Sequence, residues 1–138
     1  MAPAAAHLDG ALDTVYSGWQ FRDADTRVMQ ADDFDNPGMI FADRGLDYWN
    51  AVDGTEGKSC ASCHEGPESM KGLRAVTPKV DAATGKLTNL ETYINTCRTE
   101  RMGAEAWNPK SESMSDMLAL ISVQSRGELM NVAIDGAA

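Results

Sequence analysis

Cys60-Ala61-Ser62-Cys63-His64 is the stretch around which the rest of the chain reads. Two cysteines at i and i+3 with a histidine next to the second form the C-x-x-C-H attachment signature of a c-type haem. The spacing has a mechanical reason. Thiols one helical turn apart can each form a thioether to a haem vinyl group, and the next residue then turns its imidazole under the iron. Cys60 and Cys63 are therefore expected as covalent anchors and His64 as the proximal iron ligand. Two other chemistries use such cysteines. A redox dithiol wants a βαβ context, and the flanks Gly54-Thr55-Glu56-Gly57-Lys58 and Glu65-Gly66-Pro67 show no strand. A zinc site would draft Cys60, Cys63, His64 and the distant Cys97, but a histidine adjacent to a ligating cysteine rarely converges on the same tetrahedral ion.

Upstream of the motif, Asn36-Pro37-Gly38 reads as a helix start, with Asn36 as cap and proline in the first turn. The helix predicted over residues 37–51 places Phe41, Leu46, Trp49 and Val52 within reach of a core. An amphipathic helix with an aromatic shortly before C-x-x-C-H suits the first helix of a class I cytochrome c, with Trp49 read as core rather than as an electron relay. Further back, Trp19, Phe21, Val28, Met29 and Phe34 are spaced by polar residues, as in an extension packed over a domain with a short helix near Thr26–Ala31. Residues 1–16 are Ala-rich and are expected to form a loose terminus; His7 there is the only histidine besides His64.

Downstream, residues 66–85 are rich in Gly, Pro and polar side chains and read as loop. Thr88-Asn89-Leu90-Glu91 matches a capping box, and Leu90, Ile94, Cys97 and Arg101 then step by four, three and four, which puts Cys97 on the apolar face of a helix. A last helix is predicted from Ser113, with Asp116 as its box partner. It would bury Met117, Leu118, Ile121 and Val123 and close at Arg126-Gly127; Pro109 separates it from the helix before.

A chain of 138 residues is one domain on length, and it contains no apolar run long enough to span a membrane. The net charge of −9 argues against a nucleic-acid partner. That charge is uneven. Residues 1–57 carry 11 acids and 3 bases, whereas residues 58–127 carry 8 acids and 9 bases, so the haem-bearing part is near neutral. The acidic N-terminal region is either a solvated face or a docking surface that steers a basic partner. The start Met1-Ala2-Pro3-Ala4-Ala5-Ala6 has neither a basic n-region nor an apolar h-region. Because haem attachment in bacteria occurs outside the cytoplasm, a periplasmic protein whose export signal has been removed is expected.

With two cysteines spent on thioethers, Cys97 needs an account. It lies 33 residues beyond His64, far enough to reach the opposite haem face as the distal ligand. Arg98 adjoins it and Arg101 follows one turn on; cationic neighbours would favour its thiolate, and an anionic ligand stabilises ferric iron and lowers the reduction potential. Alternatively Cys97 is a buried inert thiol and a methionine, with Met102 nearest, completes the coordination. From the residues alone the two stand level.

The chain resembles the N-terminal haem domain of the SoxA family, the larger cytochrome subunit of the SoxAX complex of bacterial thiosulfate oxidation. The resemblance rests on Ser17-Gly18-Trp19-Gln20-Phe21, Asp32-Asp33-Phe34-Asp35-Asn36-Pro37-Gly38-Met39 and Gly57-Lys58-Ser59-Cys60-Ala61-Ser62-Cys63-His64. It continues through Glu68-Ser69-Met70-Lys71-Gly72, Ile94-Asn95-Thr96-Cys97-Arg98-Thr99-Glu100 and Asn131-Val132-Ala133-Ile134-Asp135-Gly136. It implies histidine and cysteine axial ligands, here His64 and Cys97, and as partners a SoxX-like cytochrome subunit and a sulfur-carrier protein. Family members continue into a second haem domain, the proposed site of the L-cysteine S-thiosulfotransferase reaction. No second C-x-x-C-H occurs before Ala138, so the catalytic half is expected to be missing and this chain is not expected to act as the enzyme alone.

The expectation is an all-α, class I cytochrome c-like domain with an N-terminal extension: an arm over residues 1–38 and a compact domain with one covalent haem c over 39–138. Its expected function is electron transfer by a low-potential His/Cys-ligated haem. The alternatives are an ordinary His/Met mono-haem carrier and a redox-inert docking domain for a partner subunit.

Overall fold

Residues 18–132 are the part of the chain that the computed structural model describes, and they divide into two units, 18–37 and 38–132. In the first, a 3₁₀ turn at Gly18–Phe21 precedes helix α1 (Ala24–Ala31). Asp23 starts this helix: its carboxylate accepts a hydrogen bond from the Thr26 amide at 3.0 Å, satisfying one of the amide donors that a helix N-terminus leaves unpaired. That cap places the helix start two residues before the predicted one. Trp19, Phe21, Val28, Met29 and Phe34 are exposed, and Arg27 lies over the Trp19 ring.

The second unit contains α2 (Met39–Asn50), the short α3 (Ala61–His64), α4 (Leu90–Arg101) and α5 (Glu112–Val123). Two 3₁₀ turns follow α3, at Pro67–Met70 and Arg74–Val76. The segment read as loop runs into a small antiparallel hairpin, with β1 (Lys79–Val80) inside it and β2 (Leu87–Thr88) just beyond it, in register Lys79 to Thr88. Asp81 closes its turn, its carboxylate accepting from the amides of Ala83 and Thr84, and Gly85 supplies the positive φ of +67° that a side chain rarely tolerates. The architecture is otherwise helical, as expected. Among the described residues no helix is long and apolar enough to cross a membrane.

The principal packing is α2 against α5. The inward face of α2 is Ala42, Gly45 and Trp49, three and four residues apart; Phe41, Leu46 and Val52, expected in the core, are exposed. The reason is Gly45. Any Cβ there would collide with the Asp116 backbone carbonyl and stand 2.8 Å from the Leu120 Cβ, so the helices approach across a bare glycine and the large side chains rotate outward. Phe41 is covered instead by the Arg44 guanidinium, 5.0 Å above its ring. The core is Trp49, Leu90, Met117, Leu120 and Ile121, with Met114 also fully buried; Leu118 and Val123 are half-buried.

Three predicted caps move. Asn36 does not cap α2: Gly38 occupies that position without a side-chain bond, and the Asn36 amide donates to the Gln30 carbonyl. In α4 the cap is Asn89, one residue after Thr88, because β2 claims Thr88; Asn89 accepts from the Thr92 amide at 3.0 Å. In α5 the cap is Ser111, accepting from Met114, two residues before the predicted Ser113. Asp116, read as a box partner, is fully buried and bound to Arg44 through Nε at 2.8 Å and a second guanidinium nitrogen at 2.9 Å. This two-point bond holds the Arg44 pKa above its ordinary value. The α5 helix itself ends at Val123, and the chain continues as turns to Gly127.

Candidate haem-attachment site

The attachment motif forms one turn of helix. Cys63 and His64 both donate backbone bonds to the Cys60 carbonyl, at 3.2 and 3.0 Å, so Cys60 and Cys63 share a face. Buried Ser59 braces the turn: its amide donates to the Ser62 hydroxyl at 3.0 Å, and the two hydroxyls lie 3.1 Å apart. Glu65, just after His64, takes a φ of +57°, an uncommon value for a side-chain-bearing residue. Trp49 holds that strained peptide, its Nε1 donating to the Glu65 carbonyl at 3.0 Å, and its ring lies 6.0 Å from the His64 ring. Trp49 is core, and it also packs beside His64.

Cys97 lies in α4 just before its last turn, and its thiol reaches the same region. All three thiols are free; Cys60 and Cys97 are half-buried and Cys63 is exposed. They lie near enough to perturb one another. Burial pushes the Cys60 thiol pKa up and neighbouring Cys97 pushes it further; burial likewise raises Cys97, with Cys63 adding to it. The cationic influence differs from expectation. Arg98 favours the thiolate of Cys60, not that of Cys97, and only Arg101 favours the Cys97 thiolate. Consecutive helical residues point about 100° apart, which turns Arg98 away from Cys97.

Arg98 has other work. It is 5% exposed, its Nε donates to the Glu105 carbonyl at 3.0 Å, and its guanidinium reaches the Asp53 carboxylate at 2.7 Å. The guanidinium also lies 3.9 Å from the centre of the Trp107 ring. This bond and the Gly54 amide hold the Asp53 carboxyl below its usual pKa. Loop 53–58, which leads into the attachment motif, docks on the end of α4: Thr55 donates to the Gly103 carbonyl, Glu56 to the Met102 carbonyl, and the Lys58 ammonium to the Arg101 carbonyl. Gly54 and Gly103 permit this, both with positive φ and both without room for a Cβ. Met102, the alternative distal ligand, is 5% exposed and is the cap residue of α4, its carbonyl accepting from the Glu56 amide of this loop. Asp53, Gly54, Gly103 and Trp107 escaped the sequence reading. The Asp53-Gly54 turn signal was visible, but not its partner some 50 residues away.

The donors suit a haem better than a bare ion. Among the described residues, no three of His, Cys, Asp and Glu are gathered closely enough to hold a metal ion, as a zinc site would require. A tetrapyrrole instead takes peripheral thioethers and separate axial donors. Two thiols on one helical turn, an imidazole next to them and a third thiol from another helix match that demand. A cavity of about 400 Å³ lined by Asp53, Thr55, Arg98, Glu105 and Trp107 lies beside the clamp; none of the cysteines lines it. His7 lies outside the described residues.

The family model described as the SoxA/TsdA cytochrome c domain matches residues 44–130. The L-cysteine S-thiosulfotransferase subunit SoxA of Paracoccus pantotrophus is 62% identical over 133 residues, covering 96% of this chain and 46% of that protein. The same subunit of Rhodovulum sulfidophilum is 47% identical, covering 99% of this chain and 48% of that one. The crystal structure of SoxXA from P. pantotrophus superposes with a TM-score of 0.87 at 63% identity, over 94% of this chain and 49% of the matched chain. The chain thus spans about half the length of the relatives it matches.

Proposed function

The chain belongs to the SoxA/TsdA cytochrome c domain family and carries covalently bound haem c, and from that premise we propose that it is a His/Cys-ligated electron-transfer domain of a thiosulfate-oxidising cytochrome. Cys60 and Cys63 would hold the haem by thioethers, and His64 and Cys97 would supply its iron ligands. Bound there, haem c supplies a one-electron ferric/ferrous couple. The protein's part is to orient and shield it. The Trp49–Glu65 bond sets the backbone behind His64, and the Asp53–Arg98 bond ties the end of α4 to the loop that enters the motif.

What supports Cys97 is its place on α4: its thiol comes near those of Cys60 and Cys63, whereas Met102 follows the helix as its cap residue, with its carbonyl bonded to the Glu56 amide. A thiolate ligand stabilises ferric iron, so the domain works at low potential. Residues 39–138 act as the haem unit and residues 1–38 as an arm. The partners are a SoxX-like cytochrome subunit, consistent with the SoxXA assembly of the P. pantotrophus relative, and a sulfur-carrier protein, met in the periplasm. The thiosulfotransferase reaction belongs to the whole relatives, and this domain serves it by passing electrons.

Low-temperature EPR of the oxidised, haem-loaded protein with its near-infrared spectrum tests the reading. A low-spin thiolate signal without a methionine charge-transfer band is expected, on a haem whose stain survives denaturing electrophoresis and disappears in the Cys60→Ala/Cys63→Ala double variant. A methionine band would make the domain a plain His/Met carrier.

A further inference from the structure

The thiol of Cys97 is one residue from a guanidinium that does not face it, and the guanidinium is nonetheless buried, hydrogen-bonded and stacked. A helix end is its least constrained part, because its last carbonyls lack intrahelical partners. Here those carbonyls are taken up from outside the helix: Ala104 donates to the Arg98 carbonyl at 2.9 Å, Glu56 to Met102 at 3.1 Å, and Lys58 to Arg101 at 3.4 Å. The Arg98 side chain ties the three pieces together. Its fork spans from Asp53 on the loop entering the attachment motif to Glu105 on the strand of chain leaving α4. Its face rests on Trp107, which is itself pinned to α4 by a two-way bond with Asn95 at 2.8 and 2.9 Å and meets Tyr48 of α2 edge-on at 5.5 Å.

We propose that Arg98 is a positioning residue that locks the last turn of α4 to loop 53–58, and so fixes Cys97 relative to Cys60, Cys63 and His64. This rests on the ligand assignment above and deepens it. The role is geometric. The planar fork supplies two hydrogen bonds in different directions and a stacking face, which a lysine ammonium does not reproduce. With the clamp released, the last turn of α4, which separates Cys97 from Met102, is no longer held in one register, and the iron ligand drawn from this helix becomes heterogeneous.

The test uses the haem-loaded protein and the variants Arg98→Lys, Arg98→Met and Asp53→Asn, read by EPR, near-infrared spectrum, redox titration and far-ultraviolet circular dichroism. Arg98→Lys and Arg98→Met are expected to lose the single low-spin thiolate species, giving mixed or high-spin signals and a broadened or shifted potential while helicity is retained. Asp53→Asn, at an exposed position, is expected to show the same change more weakly, and it carries the test if Arg98→Met fails to accumulate. Full rescue by Arg98→Lys would overturn the proposal in favour of a charge effect. Lower thermal stability with an unchanged single thiolate signal would overturn it in favour of a merely structural clamp. Absence of the thiolate signal in the unaltered protein would instead remove the ligand assignment on which the proposal rests.

Discussion

At the scale of single residues, position along the chain and direction in space proved separable. Arg98 is adjacent to Cys97 in sequence, yet its charge acts on Cys60 while its hydrogen bonds go to Asp53 and Glu105. Arg101, three residues further and exposed, is the cation that favours the Cys97 thiolate. The ligand roles themselves make a sharp prediction. Replacing Cys97 by Met exchanges an anionic ligand for a neutral thioether, so the midpoint potential in a redox titration should rise and a methionine charge-transfer band should appear. An unchanged potential and spectrum would show that Cys97 does not bind the iron. The motif residues were legible because C-x-x-C-H encodes its own geometry within one helical turn. Asp53 and Trp107 were not, since their function exists only through a partner tens of residues away.

Elements show the same division. Helix existence followed from periodicity and caps, and α1, α2, α4 and α5 all lie where hydrophobic spacing places them. Their faces and ends were decided by neighbours. Thr88 and Asn89 are both good caps, and pairing of β2 takes Thr88 out of contention. On α2, volume rather than hydropathy selects the inner face, because α5 approaches across Gly45. Intrinsic propensity alone says that Gly45→Ala should stabilise an exposed helix by roughly 1 kcal/mol. Here the added methyl meets the Asp116 carbonyl, so the same change should destabilise by about 1–3 kcal/mol. Denaturant unfolding of the haem-loaded protein checks the sign: a rise in midpoint would mean the α2–α5 contact is looser than described.

For the whole molecule, charge and pH set the conditions under which the haem unit holds together. Asp53 and Asp81 both have pKa values lowered in the folded state, Asp53 by Arg98 and the Gly54 amide, Asp81 by the Thr84 amide and hydroxyl, with Ala83 and Tyr93 adding less. A depressed carboxyl contributes stability that is present above its unfolded value, about 3.9, and is lost as pH falls through the lower folded value. Thermal stability should therefore change little from these groups above about pH 5 and fall below about pH 4. The fall should be shallower in Asp53→Asn; an identical slope would exclude the clamp as a contributor. By itself the sequence determined what depends on a few neighbouring residues: the covalent haem motif, the helical class, the acidic N-terminal half and the spare cysteine. Only the tertiary structure decided which side of each helix faces inward, which carboxylate the Arg98 guanidinium binds, and that loop 53–58 closes on the end of α4. Those outcomes depend on close approach between segments far apart in the chain, where a missing Cβ or one buried guanidinium chooses among arrangements that local propensity leaves equal.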